Sequence, residues 1–210
     1  MSQFKNKTVI ITGHTGFKGS WLAIWMHLLG AKVIGISDKI PTKPSHFKYL
    51  QMKNKIKNIK LDIRDLKKLK TSFDVPVYVH QKDRANVVKP GSDGLPLMSP
   101  IEGVETEFDL KEGQIITIGH LELKVIETPG HTPGGVCFYL EKEKILFAGD
   151  TLFKGSIGNL SLPTADRSAM WKSLEKLEKL PSDTFVYSGH GPSTTIGDEN
   201  WLPKAREIFS

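Results

Sequence analysis

A β-branched run that ends in three evenly spaced glycines and passes straight into an apolar stretch constrains this chain most. Residues 7–12 read KTVIIT, and Gly13, Gly16 and Gly19 follow at three-residue spacing. A short β-branched run of this kind reads as a buried parallel strand entering a turn. Residues 17–29, FKGSWLAIWMHLL, are apolar nearly all round. That suits a helix covered on most of its sides, with Gly30 as its C-terminal cap. Glycines in such a turn let the backbone approach a pyrophosphate, whose charge then sits at the helix N-terminus. Asp38 closes the next strand, AKVIGIS, where a carboxylate can take ribose hydroxyls. A glycine turn kept only as scaffold is the competing reading.

Farther along, the pattern changes. Residues 56–62 read as a third strand and 65–73 as a helix; 75–80 (VPVYVH) read as another strand, with a short helix near 81–87. The stretch from 90 to 100 is rich in Gly, Pro and Ser and reads as a surface loop. Residues 114–127 predict two strands joined at Gly119, and 135–150 predict two more around a turn at 141–144. Met170, Leu174, Leu177 and Leu180 fall on one helical face. Residues 184–189 predict a strand and 200–209 a closing helix. Strands alternate with helices early and come in antiparallel pairs later, so the class is α/β with a mixed sheet.

The formal charge of +6 averages two unlike parts. Residues 1–74 carry 15 Lys and Arg against 4 Asp, a balance of +11. Residues 75–210 carry 14 against 19 Asp and Glu, a balance of −5. The composition shift near residue 74 marks two segments, 1–74 and 75–210. The basic residues are spread over helix and strand faces without an aromatic-interleaved cluster, so a solvated surface is expected rather than a nucleic-acid interface. A single cysteine, Cys137, allows no intrachain disulfide and fits a reducing compartment. No stretch is long enough to span a bilayer. The expectation is a soluble, cytoplasmic protein with a small molecule as its ligand and no nucleic-acid or membrane partner.

TGHTGFKGSWL, together with LDIRD at 61–65, resembles the extended short-chain dehydrogenases, in particular CDP-glucose 4,6-dehydratase-like enzymes, over roughly residues 4–73. The resemblance implies NAD binding by a truncated Rossmann-type unit. It places Gly13, Gly16, Phe17 and Gly19 at the pyrophosphate, Asp38 at the ribose, and Asp62 with Ile63 at the adenine. The nicotinamide half and the sugar-nucleotide domain of that family are absent from the resemblance, which ends near residue 73.

Three later segments, ETPGHTPGG at 127–135, LFAGDTLF at 146–153 and YSGHGPSTTIGDE at 187–199, resemble the metallo-β-lactamase superfamily, specifically glyoxalase II-like hydrolases. His131, Asp150 and His190 each lie on a loop at a strand end, where several loops can converge on one ion. Imidazole and carboxylate suit zinc or iron. The resemblance implies these three as metal ligands. The family's first motif, His-x-His-x-Asp-His, does not occur, and no His-x-His is present anywhere. His14, His27, His46, His80 and His120 read as scattered surface or core residues. Two histidines and a carboxylate can hold a single ion with open positions, or can stand as an empty polar cluster.

The sequence therefore predicts a composite chain: half of a Rossmann-type βαβ unit joined to half of a metallo-β-lactamase (αββα) fold. Its expected function is that of a chimera derived from a metal-dependent hydrolase and an NAD-binding dehydratase, without efficient catalysis. The alternatives are a residual mononuclear hydrolase of thioesters or esters, with one weakly held zinc or iron, and a weak NAD-binding module.

Overall fold

The computed structural model describes residues 3–95 and 101–209; the end of the predicted 90–100 loop lies outside them. The chain divides into two compact units, Met1–Val75 and Pro76–Ser210.

In the first unit, strand β1 (Thr8–Thr12) leads into helix α1 (Phe17–Leu28), and β2 (Lys32–Ser37) follows. The one-turn helix α2 (His46–Tyr49), strand β3 (Lys57–Lys60) and helix α3 (Leu66–Phe73) complete it. The three strands form a parallel sheet in the order β1-β2-β3. Gly16 is the N-cap of α1. A Cβ on Gly19 would lie 2.2 Å from the Gly13 carbonyl oxygen, so only glycine lets the helix start this close to the turn. Ile11, Val33, Ala23 and Met26 pack between sheet and helix, with Phe47 and Met52 closing the core. The prediction of a helix covered on most sides fails here. One face of α1 is buried through Ser20, Ala23 and Met26, while Phe17, Trp21, Leu22, Trp25 and Leu28 are exposed.

The second unit opens with β4 (Tyr78–His80), a 3-10 turn at Gln81–Asp83 and helix α4 (Arg84–Val88). Strand β5 (Phe108–Leu110), which the sequence reading missed, pairs in parallel with β4. The strands β6 (Ile115–Ile118), β7 (Leu121–Glu127), β8 (Val136–Leu140) and β9 (Ile145–Gly149) run as an antiparallel meander. After the small hairpin of β10 (Leu152–Phe153) and β11 (Ser156–Ile157), helix α5 (Arg167–Glu178) leads to β12 (Phe185–Ser188) and β13 (Thr194–Thr195). The six-stranded sheet has the order β13-β12-β9-β8-β7-β6, and β12 joins β9 in parallel. The architecture is thus mixed α/β with a mixed sheet.

The apolar stripe of α5 does what its spacing requires. Met170, Leu174 and Leu177 are buried against Ile126, Cys137, Leu146, Ala148 and Val186 of the sheet. The Asp166 side chain accepts from the Ala169 amide and fixes the helix start. The predicted closing helix over 200–209 is instead a 3-10 turn, Leu202–Lys204, and a single α-helical turn, α6 (Ala205–Ile208). The break falls at Lys204, whose φ of −113° and ψ of 14° leave helical geometry; Pro203 lies in the first turn, where it is tolerated. On the sheet face away from α5, Ile118, Phe147, Phe185 and Tyr187 are exposed, with Phe147 and Tyr187 stacked at 5.5 Å.

Candidate metal centre

Three loops at strand ends bring His131, Asp150 and His190 together. His131 follows β7, Asp150 follows β9 and His190 follows β12, three strands of one sheet. The Oδ2 atom of Asp150 is 3.6 Å from Nε2 of His131 and 3.4 Å from Nε2 of His190. His131 is oriented from behind: its Nδ1 lies 2.9 Å from the Asn159 carbonyl oxygen. A carbonyl only accepts, so Nδ1 donates to it, and Nε2 is the ring atom that faces Asp150. His190 is held less firmly. Its side chain is 78% exposed, with the ring edge-on to Phe153.

The surroundings are cut to leave space for these donors. A Cβ on Gly189 would sit 2.2 Å from Asp150 Oδ1. A Cβ on Gly158 would sit 1.9 Å from the Asp150 carbonyl oxygen and 3.1 Å from His131 Nδ1. An ion bound tetrahedrally at about 2.0–2.2 Å from each donor spaces those donors roughly 3.3–3.6 Å apart. Both measured separations agree with that edge length. The fit is pairwise: among the described residues no three His, Cys, Asp or Glu side chains converge as a closed metal-holding group. The donor chemistry and the glycine clearances suit zinc or iron.

Several supporting residues carry no sequence signal. Asp83 grips the loop that follows His131, accepting from the Thr132 hydroxyl at 2.5 Å and from the Gly134 amide at 2.8 Å. His80, read as a scattered histidine, lies with Nε2 3.3 Å from the Glu127 carboxylate and accepts from the Lys82 amide. On the other side of the site, the buried Glu199 accepts from Thr194, from the Gly155 amide and from the Trp201 indole. It thereby ties the segment after Asp150 to the one after His190. Cys137 is no nucleophile. Its thiol is fully buried, and burial pushes its pKa up to about 11 despite hydrogen bonds from threonines.

In the first unit, Gly13, Asp38, Asp62 and Ile63 line one cavity of about 300 Å³. Gly16, Phe17 and Gly19 do not line it. The Asp62 carboxylate is already engaged by Arg64, whose guanidinium donates at 2.6–3.2 Å. The Arg64 hydrogen bonds hold Asp62 down to about pKa 2. A larger cavity of about 540 Å³ is lined by His14, Thr15, Asp38 and the lysines 39, 53 and 60.

The family model described as the metallo-beta-lactamase superfamily matches residues 63–190. The match takes in His131, Asp150 and His190 and starts beyond the glycine turn. An uncharacterised protein of Aquifex aeolicus is 42% identical over 146 residues, 68% of this chain and 69% of its own length. A hydroxyacylglutathione hydrolase of Rhizobium meliloti is 49% identical over 98 residues, 43% of this chain. The chain spans only 38% of that hydrolase's length. Among solved structures, the BLEG-1 B3 metallo-beta-lactamase has a TM-score of 0.61 at 29% identity, covering 97% of this chain and 90% of its own. The protein TTHA1623, solved in a di-iron-bound form, has a TM-score of 0.55 at 27% identity, covering 90% and 85%.

Proposed function

This chain belongs to the metallo-beta-lactamase superfamily, and on that footing we propose that it is a metal-dependent hydrolase of thioesters, of the hydroxyacylglutathione type. The observation that carries the reading is the approach of both imidazole Nε2 atoms to one carboxylate oxygen of Asp150. His131, Asp150 and His190 would hold a single zinc or iron. When bound, such an ion supplies Lewis acidity and a more acidic water. The chain's own part is to present the donors. Asn159 fixes the His131 tautomer, and Asp83 fixes the loop that carries it. Asp150 stands between the two histidines, within 3.6 Å of each Nε2. The resemblance to half of a binuclear donor set argues for one ion and slow turnover.

Metal analysis and a hydrolysis assay test this together. The expected result is up to one zinc or iron per chain, lost in His190→Ala. Cleavage of a hydroxyacyl-glutathione thioester should stop on chelation and run well below the usual range of about 1–1000 s⁻¹. Two ions per chain, or hydrolysis unchanged in Asp150→Asn, would overturn the proposal.

The cavity shared by Gly13, Asp38 and Asp62 supports a second reading, weak binding of NAD through its adenosine half. Titration calorimetry with NAD and ADP checks it. Equal affinities fit the reading, and no binding of either leaves the turn as scaffold.

A further inference from the structure

We propose that the outward face of α1 is a self-association surface, on which a second copy of this chain packs through Phe17, Trp21, Trp25 and Leu28. These residues stand at i, i+4, i+8 and i+11, one stripe of a helix. They are not lightly exposed: Leu28 is 75%, Phe17 66% and Trp25 61% accessible. Leu22 flanks the stripe, and Lys18 is the single Lys or Arg within the helix. A helix apolar on every side is a buried helix, yet the first unit covers only its Ser20, Ala23 and Met26 side.

The composition identifies what covers the other side. Residues 1–74 hold 15 Lys and Arg, but all except Lys18 lie outside α1. A face cleared of charge and rich in tryptophan has the make-up of a protein–protein hot spot. A surface that binds nucleic acid or an anionic bilayer instead sets lysines among its aromatics. The area also suffices. Three rings of about 150–250 Å² each, exposed by half to two thirds, offer roughly 350 Å² of apolar surface, and the leucines raise the face to about 500 Å². Two such faces bury about 1,000 Å² together, the lower bound for a specific interface. A stripe along one helix is self-complementary about a two-fold axis, so the contact closes as a dimer.

The charge sets the sign of the salt effect. Each first segment carries a balance of +11, so two copies repel through solvent until salt screens them. Sedimentation velocity of the full chain tests this across concentration and from about 0.05 M to 0.5 M salt. The expected result is a reversible monomer–dimer equilibrium that shifts toward dimer as salt rises. Trp21→Glu with Trp25→Glu should abolish it while far-UV circular dichroism stays native. If the double variant does not fold, Leu28→Asp, at the most exposed position, carries the same test. Three results would overturn the proposal: a monomer at every concentration, a dimer that survives a folded variant, or association that weakens with salt. Salt-sensitive flotation with vesicles containing phosphatidylserine would likewise replace the second copy with a lipid surface.

Discussion

Asp83 shows how a side chain far along the chain from the candidate metal centre shapes it. Its two carboxylate oxygens hold Thr132 and Gly134, and those bonds set where the His131 loop leaves the sheet. Replacing Asp83 by alanine leaves a partly buried amide and a hydroxyl without their acceptor. The expected cost is about 1–3 kcal/mol of stability, read as a lowered urea midpoint. The same change should weaken zinc binding by about 10–100-fold, as loss of a supporting partner does at metal sites. Asp83→Asn, which keeps one acceptor oxygen, should fall between the two. This residue was not legible in the sequence, because a hydrogen bond spanning 49–51 positions leaves no local pattern. The three donors themselves were legible. Each sits beside glycine at the end of an apolar strand; a Cβ on Gly189 would strike Asp150, one on Gly130 would strike Met170, and Gly149 has a left-handed backbone.

At the scale of elements, periodicity worked where a partner surface lies within the same unit. The α5 stripe predicted Met170, Leu174 and Leu177 as a buried face, and these residues fill the core under the six-stranded sheet. Leu174→Ala should therefore cost about 2–5 kcal/mol, the range for a buried leucine whose cavity does not collapse. Chemical denaturation followed by the tryptophan signal measures it. Leu180, predicted on the same stripe, lies past the end of α5 and packs only partly against that core, so its replacement should cost less. For α1 the same pattern misled. Apolarity all round says that a helix needs covering, but not by what, and the unit supplies a cover on one side only. Strand β5 was missed because Phe108–Leu110 is three residues long and contains Asp109, too short to show alternation. The predicted closing helix is interrupted at Lys204, whose backbone leaves helical geometry, a break that no local sequence pattern marked.

At the scale of the molecule, the class and the mixed sheet were readable from the order of elements, helices between early strands and hairpins later. The change of composition near residue 74 and the division into Met1–Val75 and Pro76–Ser210 fall close together in the chain. The dehydrogenase-like half expected for the first segment finds no support in the comparisons: the superfamily model matches residues 63–190, and a solved metallo-beta-lactamase covers 97% of the chain. No helix among the described residues is long and apolar enough to cross a membrane.

The six-stranded sheet has a helix on one side and open aromatic rings on the other, and this bears on how the chain responds to temperature. Heat capacity rises on unfolding mainly because apolar groups enter water. Ile118, Phe147, Phe185 and Tyr187, like the outer stripe of α1, already meet water in the folded chain. Those groups contribute less to the increment than fully buried ones. Differential scanning calorimetry of a dilute monomeric sample should therefore give a value below the usual ~12–15 cal/mol/K per residue. A smaller increment bends the stability curve less. The fold would lose its hold gradually on both warming and cooling, with a broad, shallow optimum in place of a sharp one.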